Sequence, residues 1–173
     1  MKTNTRNSAR ALPADCIYPS RDLSPGQGYP AKTQFTVITA KGCGTNIAAL
    51  RDFPRISRIC RISGQLLHAR GPQTLQLAPG IHMYDPYFCG LLRHSCDPNV
   101  FVDMSELWVW ALKDIAKGDY LTMDYATTEN RLRHQFACRC GAVDCRGWIT
   151  GYDESPNADG QLFFQHWYRR SLS

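Results

Sequence analysis

Three cysteines fall within one eight-residue run, Cys138-Arg139-Cys140-Gly141-Ala142-Val143-Asp144-Cys145. Thiolates are soft ligands, an all-sulfur tetrahedron suits zinc, and Gly141 lets the backbone turn so that two close sulfurs face one ion. Arg139 and Arg146 would offset the negative charge that four thiolates leave around a divalent cation. A closed site needs a fourth ligand, and spacing alone leaves His134, Cys96, Cys89 and Cys43 open. The chain has eight cysteines in all. Its apolar residues never approach the ~20-residue run that crosses a bilayer, and no apolar stretch near the N-terminus suggests a signal peptide. It therefore reads as a soluble, intracellular protein with no membrane association. Thiols stay reduced in that compartment, which favours a metal over a disulfide framework.

Two further groups carry chemistry: Arg93-His94-Ser95-Cys96-Asp97-Pro98-Asn99, and Asp124-Tyr125. A Gly-Cys-Gly turn at 42–44 adds a place where backbone can approach a ligand, because glycine lacks the Cβ that would block it. The elements that must hold these groups read mainly as strands. Phe35–Thr39 is β-rich, Ile56–Ile62 carries three isoleucines, and Leu107–Leu112 is apolar on both faces and so expected to be central. Lys117-Gly118-Asp119 supplies a turn, and Tyr120–Tyr125 is expected to return as a hairpin against the Trp108 strand. Glycine and proline interrupt the rest at short intervals and leave little room for long helices.

The 173 residues, 43% of them apolar, suit one globular domain with a flexible N-terminal arm over 1–29, rich in Ser, Pro, Gly, Asn and Arg. At the far end, Phe163, Phe164, Trp167 and Tyr168 have the spacing of one short amphipathic helix within the tail 151–173. The net charge is +5, yet 97–130 carries seven acids against two lysines and 51–70 five arginines against one aspartate. The arginines are not interleaved along the sequence with aromatics, so direct nucleic-acid binding is not expected. An acidic segment beside a site instead favours a basic protein or peptide partner.

Taken together and in order, these motifs resemble the SET-domain protein lysine methyltransferases, zinc-bearing post-SET segment included. Lys41-Gly42-Cys43-Gly44-Thr45 looks like the family's cofactor-binding Gly-x-Gly turn. Arg93 to Asn99 resembles Asn-His-Ser-Cys-x-Pro-Asn, and Leu121-Thr122-Met123-Asp124-Tyr125 resembles Leu-Thr-x-Asp-Tyr. Phe136 to Gly147 is similar to the post-SET Cys-x-Cys-Gly-x-x-x-Cys-Arg-Gly signature. The resemblance implies a mostly β (β-rich α+β) fold of small curved sheets, a SET domain over 30–130 with a knot-like crossing near 93–126, and a zinc-stabilised post-SET segment over 131–150.

It further implies methyl transfer from S-adenosylmethionine to a lysine of a basic protein or histone-like tail. Tyr125 would be the catalytic tyrosine. Lys41, Gly42, Cys43, Gly44, Arg93, His94, Tyr125 and Phe136 would contact the cofactor, and Trp148 and Ile149 would wall the lysine channel. The structural zinc would take Cys96 with Cys138, Cys140 and Cys145, a choice the resemblance makes over His134. Two departures stand out. Arg93 replaces the family's asparagine and is expected to meet the cofactor carboxylate or ribose, and Ile62-Ser63-Gly64 replaces Tyr-x-Gly, removing a hydroxyl. These changes leave a non-catalytic SET-like zinc-containing interaction module as the alternative.

Overall fold

The structure is a computed structural model and describes residues 15–40 and 44–171. Twelve short strands form three antiparallel pairs or trios, one parallel pair and one C-terminal hairpin. β1 (Phe35–Ala40) and β2 (Gly44–Ala49) pair antiparallel from Phe35↔Ala49 to Ala40↔Gly44. β3 (Arg58–Arg61), β8 (Val100–Asp103) and β9 (Trp108–Ala111) form a sheet of order β3-β9-β8. β4 (Gln65–Leu67), β5 (Thr74–Ala78) and β6 (Ile81–Tyr84) form another of order β4-β6-β5. β7 (Arg93–His94) runs parallel to β10 (Thr122–Met123), and β11 (Phe136–Ala137) pairs antiparallel with β12 (Trp148–Ile149). Among the described residues one α-helix, α1 (Ala158–Ser171), follows.

Side chains alternate as the pleat requires. On β9, Val109 and Ala111 are buried while Trp108 and Trp110 are half-exposed. The strand is central, as expected, but only one face enters the core. The outer face is covered by arginine side chains from the neighbouring β3: Arg58 stacks over Trp108 and Trp110, and Arg61 over Trp108 and Tyr29. Arginines and aromatics therefore do interleave, across neighbouring strands rather than along the sequence. Arg58 also pairs with Glu106 at 2.8 Å. The core joins Phe35, Phe53 and Phe88, with Phe35 stacked on Phe53 at 5.2 Å and edge-on to Phe88 at 5.0 Å.

Three expectations need correction. Tyr120–Tyr125 does not pair with the Trp108 strand, because both edges of β9 are already taken by β3 and β8. The chain instead follows β2, with a bridge between Tyr120 and Ala48 and a hydrogen bond from Leu121 N to Ile47 O, before meeting β7 in parallel. The isoleucine run is a strand only over 58–61; Ile56 lies outside it, exposed, at φ 60°. Finally, 15–29 is no loose arm: Cys16 and Tyr18 are buried, and Cys16 bridges to Ala31. The Tyr18 hydroxyl donates to buried Asp85 at 2.8 Å and accepts from Ser63 N at 3.1 Å. An amphipathic ring with both bonds met belongs inside. The rest of the arm, 1–14, lies outside the described residues.

Candidate functional site

The seven described cysteines divide by environment. Cys16, Cys60 and Cys89 are buried in the core, where burial pushes their thiols up. Cys96, Cys138, Cys140 and Cys145 converge so that their sulfurs all lie within 4.8 Å of one another. Cys96 Sγ is 3.9 Å from Cys138 Sγ and 4.0 Å from Cys145 Sγ. Zn–S bonds of about 2.3 Å in a tetrahedron put sulfurs about 3.8 Å apart, so donor type, number and spacing fit zinc. Local backbone explains the convergence. Gly141 and Gly147 adopt φ 75° and 76°, and Cys138 N donates to Gly147 O at 2.7 Å, closing the loop on itself. Of the four fourth-ligand candidates, Cys89 is in the core, His134 is exposed away from the cluster, and Cys43 lies outside the described residues.

The thiols bias one another. Burial pushes Cys138 up, and the neighbouring thiols add to it. Cys140 falls to about 6: burial opposes the fall, but backbone hydrogen bonds from Cys96 and Ala142 and the thiols of Cys138 and Cys145 favour its thiolate. Four mutually close thiolates need a cation between them.

Tyr125 opens a 3-10 turn, Tyr125–Thr127, directly after β10. Asp124 caps that turn by accepting from Ala126 N at 3.1 Å. Burial pushes the Tyr125 hydroxyl up, so it stays protonated and donates to Leu92 O at 2.9 Å. Its ring stands edge-on to His94 at 5.3 Å and to Phe136 at 6.1 Å. Tyr125 and Phe136 form the shared wall of two cavities. One, of ≈ 430 Å³, is lined by Arg93, His94, Ser95, Tyr120 and the start of the cysteine loop. The other, of ≈ 240 Å³, is lined by Leu75, Leu92, Met123, Leu132 and Glu129 among others.

The cysteine cluster and Tyr125 are joined by contacts that sequence reasoning did not foresee. His94 presents Nε2 to Cys96 Sγ at 3.4 Å, and its Nδ1 accepts from Tyr125 N at 3.4 Å. Burial, only partly offset by Asp124, lowers its pKa to about 4, so the ring is neutral and can accept. Arg146 donates its backbone N–H to Cys96 Sγ at 3.4 Å, and its guanidinium pairs with Asp124. Asp124 was visible only as the neighbour of a tyrosine, since its partner lies 22 positions away. Asn99, at the end of the His-Ser-Cys motif, ties the crossing: its Oδ1 accepts from Thr122 N and its Nδ2 donates to Tyr120 O, both at 2.8 Å.

Other expected site residues lie elsewhere. Trp148 and Ile149 line neither cavity. In the β11–β12 hairpin, Ile149 is fully buried and Trp148 turns toward α1, donating Nε1–H to Gln135 Oε1 at 2.9 Å and packing on Phe163. Gly160 permits this, because a Cβ there would sit 2.5 Å from Trp148 Nε1. Ile62 is in the core and also lines neither cavity. Gly44, exposed at φ 71°, opens β2 outside both linings, and Lys41, Gly42 and Cys43 fall outside the described residues.

Small sheets around a parallel crossing, with a thiol cluster closing one side, are matched by known proteins. Residues 44–126 fit the family model of the SET domain, and the chain carries a SET domain. Among its relatives is methyltransferase flvH of Aspergillus flavus, 32% identical over 99 residues that span 54% of this chain and 52% of that protein. Another is the H3 lysine-9 specific histone-lysine N-methyltransferase of Schizosaccharomyces pombe, 35% identical over 84 residues, or 34% of this chain and 17% of that one. The chain thus spans about half the length of the first relative and less of the second. In fold it is similar to KRYPTONITE in complex with mCHG DNA and SAH, at TM-score 0.54 and 23% identity over 66% of this chain and 28% of that one. It is also similar to the methyltransferase domain of human SETMAR, at TM-score 0.52 and 19% identity over 68% and 58%. Among the described residues no helix is long and apolar enough to cross a membrane.

Proposed function

We propose that the chain is an S-adenosylmethionine-dependent protein lysine N-methyltransferase acting on a basic, histone-like segment, with zinc as a structural ion. The observation that carries this is the Tyr125–Phe136 wall between two cavities: a donor on one side and an acceptor on the other would meet at one phenol. The relatives named as histone-lysine N-methyltransferases and the structural neighbours crystallised with SAH support the same reading.

The Arg93-side cavity suits the cofactor. Its lining has aromatic rings at Tyr120, Tyr125 and Phe136 for a base, guanidinium groups at Arg93 and Arg139 for a carboxylate, and no carboxylate of its own. When bound, S-adenosylmethionine supplies an electrophilic methyl group on a sulfonium. Arg93, in place of the family's asparagine, holds the carboxylate or ribose. Tyr125, kept protonated and fixed by the Leu92 carbonyl and His94, orients the acceptor amine rather than removing its proton. Transfer is then mainly a matter of alignment, where small displacements are costly. The apolar lining at Leu75, Leu92 and Met123 favours the neutral amine that must attack. Cys96, Cys138, Cys140 and Cys145 hold zinc, which keeps Phe136 in the shared wall through the loop closed at Gly147.

Labelled S-adenosylmethionine with mixed histones tests the reading. Wild type should transfer label, and Tyr125→Phe should lose about 10²-fold or more in kcat with little change in cofactor affinity. Full cofactor binding with no transfer to any histone would replace the enzyme by the non-catalytic module.

A further inference from the structure

Among the described residues, Glu129 is the only acidic one in the lining of either cavity. Its amide donates to Tyr125 O at 2.9 Å, which places it one turn beyond the phenol, and both side chains line the smaller cavity. The carboxylate is nine-tenths buried, with 10% of the side chain exposed. One oxygen is committed: Oε1 accepts from Gln76 N at 2.7 Å and from Thr128 Oγ1 at 3.3 Å. Among the described residues the other, Oε2, has no hydrogen bond. Its nearest cation is Arg70 Nε at 3.8 Å, beyond hydrogen-bond range, and that nitrogen is itself buried without a partner while Arg70 Nη2 is spent on Asn130 Oδ1 at 2.8 Å. Oε2 is therefore left able to accept from a group that enters the cavity.

Resting on the methyltransferase reading, we propose that Glu129 is a specificity-determining residue: its free Oε2 receives the primary ammonium of a lysine side chain on entry to the smaller cavity, and the proton leaves to solvent before the neutral amine reaches Tyr125. Arg70 holds the carboxylate in place and neutralises part of its charge while the cavity is empty, without taking the oxygen. The remaining basic lining residues, Arg133 and His134, are exposed at the rim, where solvent screens them. Discrimination follows from the geometry. An uncharged chain of the same shape fills the apolar walls but leaves Oε2 open, whereas an ammonium also supplies the missing donor.

The test uses the full chain and small probes, so that it does not depend on knowing the substrate or on turnover. Nα-acetyl-lysine amide and its norleucine counterpart are titrated by NMR into wild type, Glu129→Gln and Arg70→Gln. Glu129→Gln keeps an acceptor for Gln76 N and removes only the charge. Wild type should prefer the lysine probe about tenfold, the scale of one hydrogen bond to a charged group, and Glu129→Gln should abolish the preference with the norleucine affinity unchanged. Arg70→Gln should raise the preference, and it decides the matter if Glu129→Gln does not fold. Equal lysine-to-norleucine ratios in wild type and Glu129→Gln, or a ratio unmoved in Arg70→Gln, overturn the proposal. A charge-dependent preference in a chain that transfers no methyl group would sink the methyltransferase reading and leave the ammonium site standing.

Discussion

The body of the molecule and its C-terminal segment are held together by different physics. The buried apolar cluster runs from Cys16 to Met123 and contains no residue beyond it. In 131–167 the only large apolar side chain that is fully buried is Ile149; the others buried there are glycines. That segment is fastened by directional contacts: the thiol cluster, the Arg146–Asp124 pair, Trp148 on Gly160, and Glu154, whose carboxylate accepts from Leu132 N at 2.8 Å and Gly151 N at 2.7 Å. A stretch too small to bury a core of its own needs a staple. The lesson concerns function as well, because Phe136, half of the wall between the cavities, belongs to the stapled part.

The largest effect should come from removing the staple. Structural zinc sites contribute on the order of 10 kcal/mol, so chelation or Cys140→Ser should free the amides of 131–171 to exchange while those around Phe88 stay protected. Simultaneous loss of protection in both regions would erase the distinction. Next, Phe88→Ala should cost about 3–5 kcal/mol of global stability with zinc content unchanged. Gly160→Leu offers the converse. Its side chain would collide with the Trp148 indole, at a cost of about 1–3 kcal/mol felt in the exchange of 131–171 and not in the melting of the body.

The smallest effect is acid-dependent. Although burial works the other way, the N–H groups of Leu132 and Gly151 hold the Glu154 carboxyl below its usual range. A carboxyl depressed in the folded state stabilises above its unfolded pKa of about 4.3 and loses that contribution as pH falls through its folded value. Exchange in 131–155 should therefore quicken below that range before the body responds, and Glu154→Gln should remove the pH dependence of this difference. A Glu154→Gln chain with the wild-type acid profile would assign the loosening to another group.

Much of the site was legible before any coordinates. Cysteine spacing announced the cluster, and the order of His-Ser-Cys, Asp-Tyr and Cys-x-Cys announced a SET domain, because those signals reside in residue type and in separations of a few positions. A run apolar on both faces also marked β9 as a strand. It could not say which strands would flank β9, and the expected hairpin failed at that point, since periodicity specifies a face and not a neighbour.

What the amino-acid sequence by itself determined was therefore the inventory: a sulfur donor set, a tyrosine at the end of a strand, and a chain that folds mainly as sheet. Only the tertiary structure decided that Arg146 reaches Asp124, that Trp148 packs on α1, and that Glu129 lines a cavity with one oxygen open. Each of those outcomes depends on groups far apart in sequence meeting at hydrogen-bond distance. Local preferences carry no information about such encounters; the packing of the sheets does.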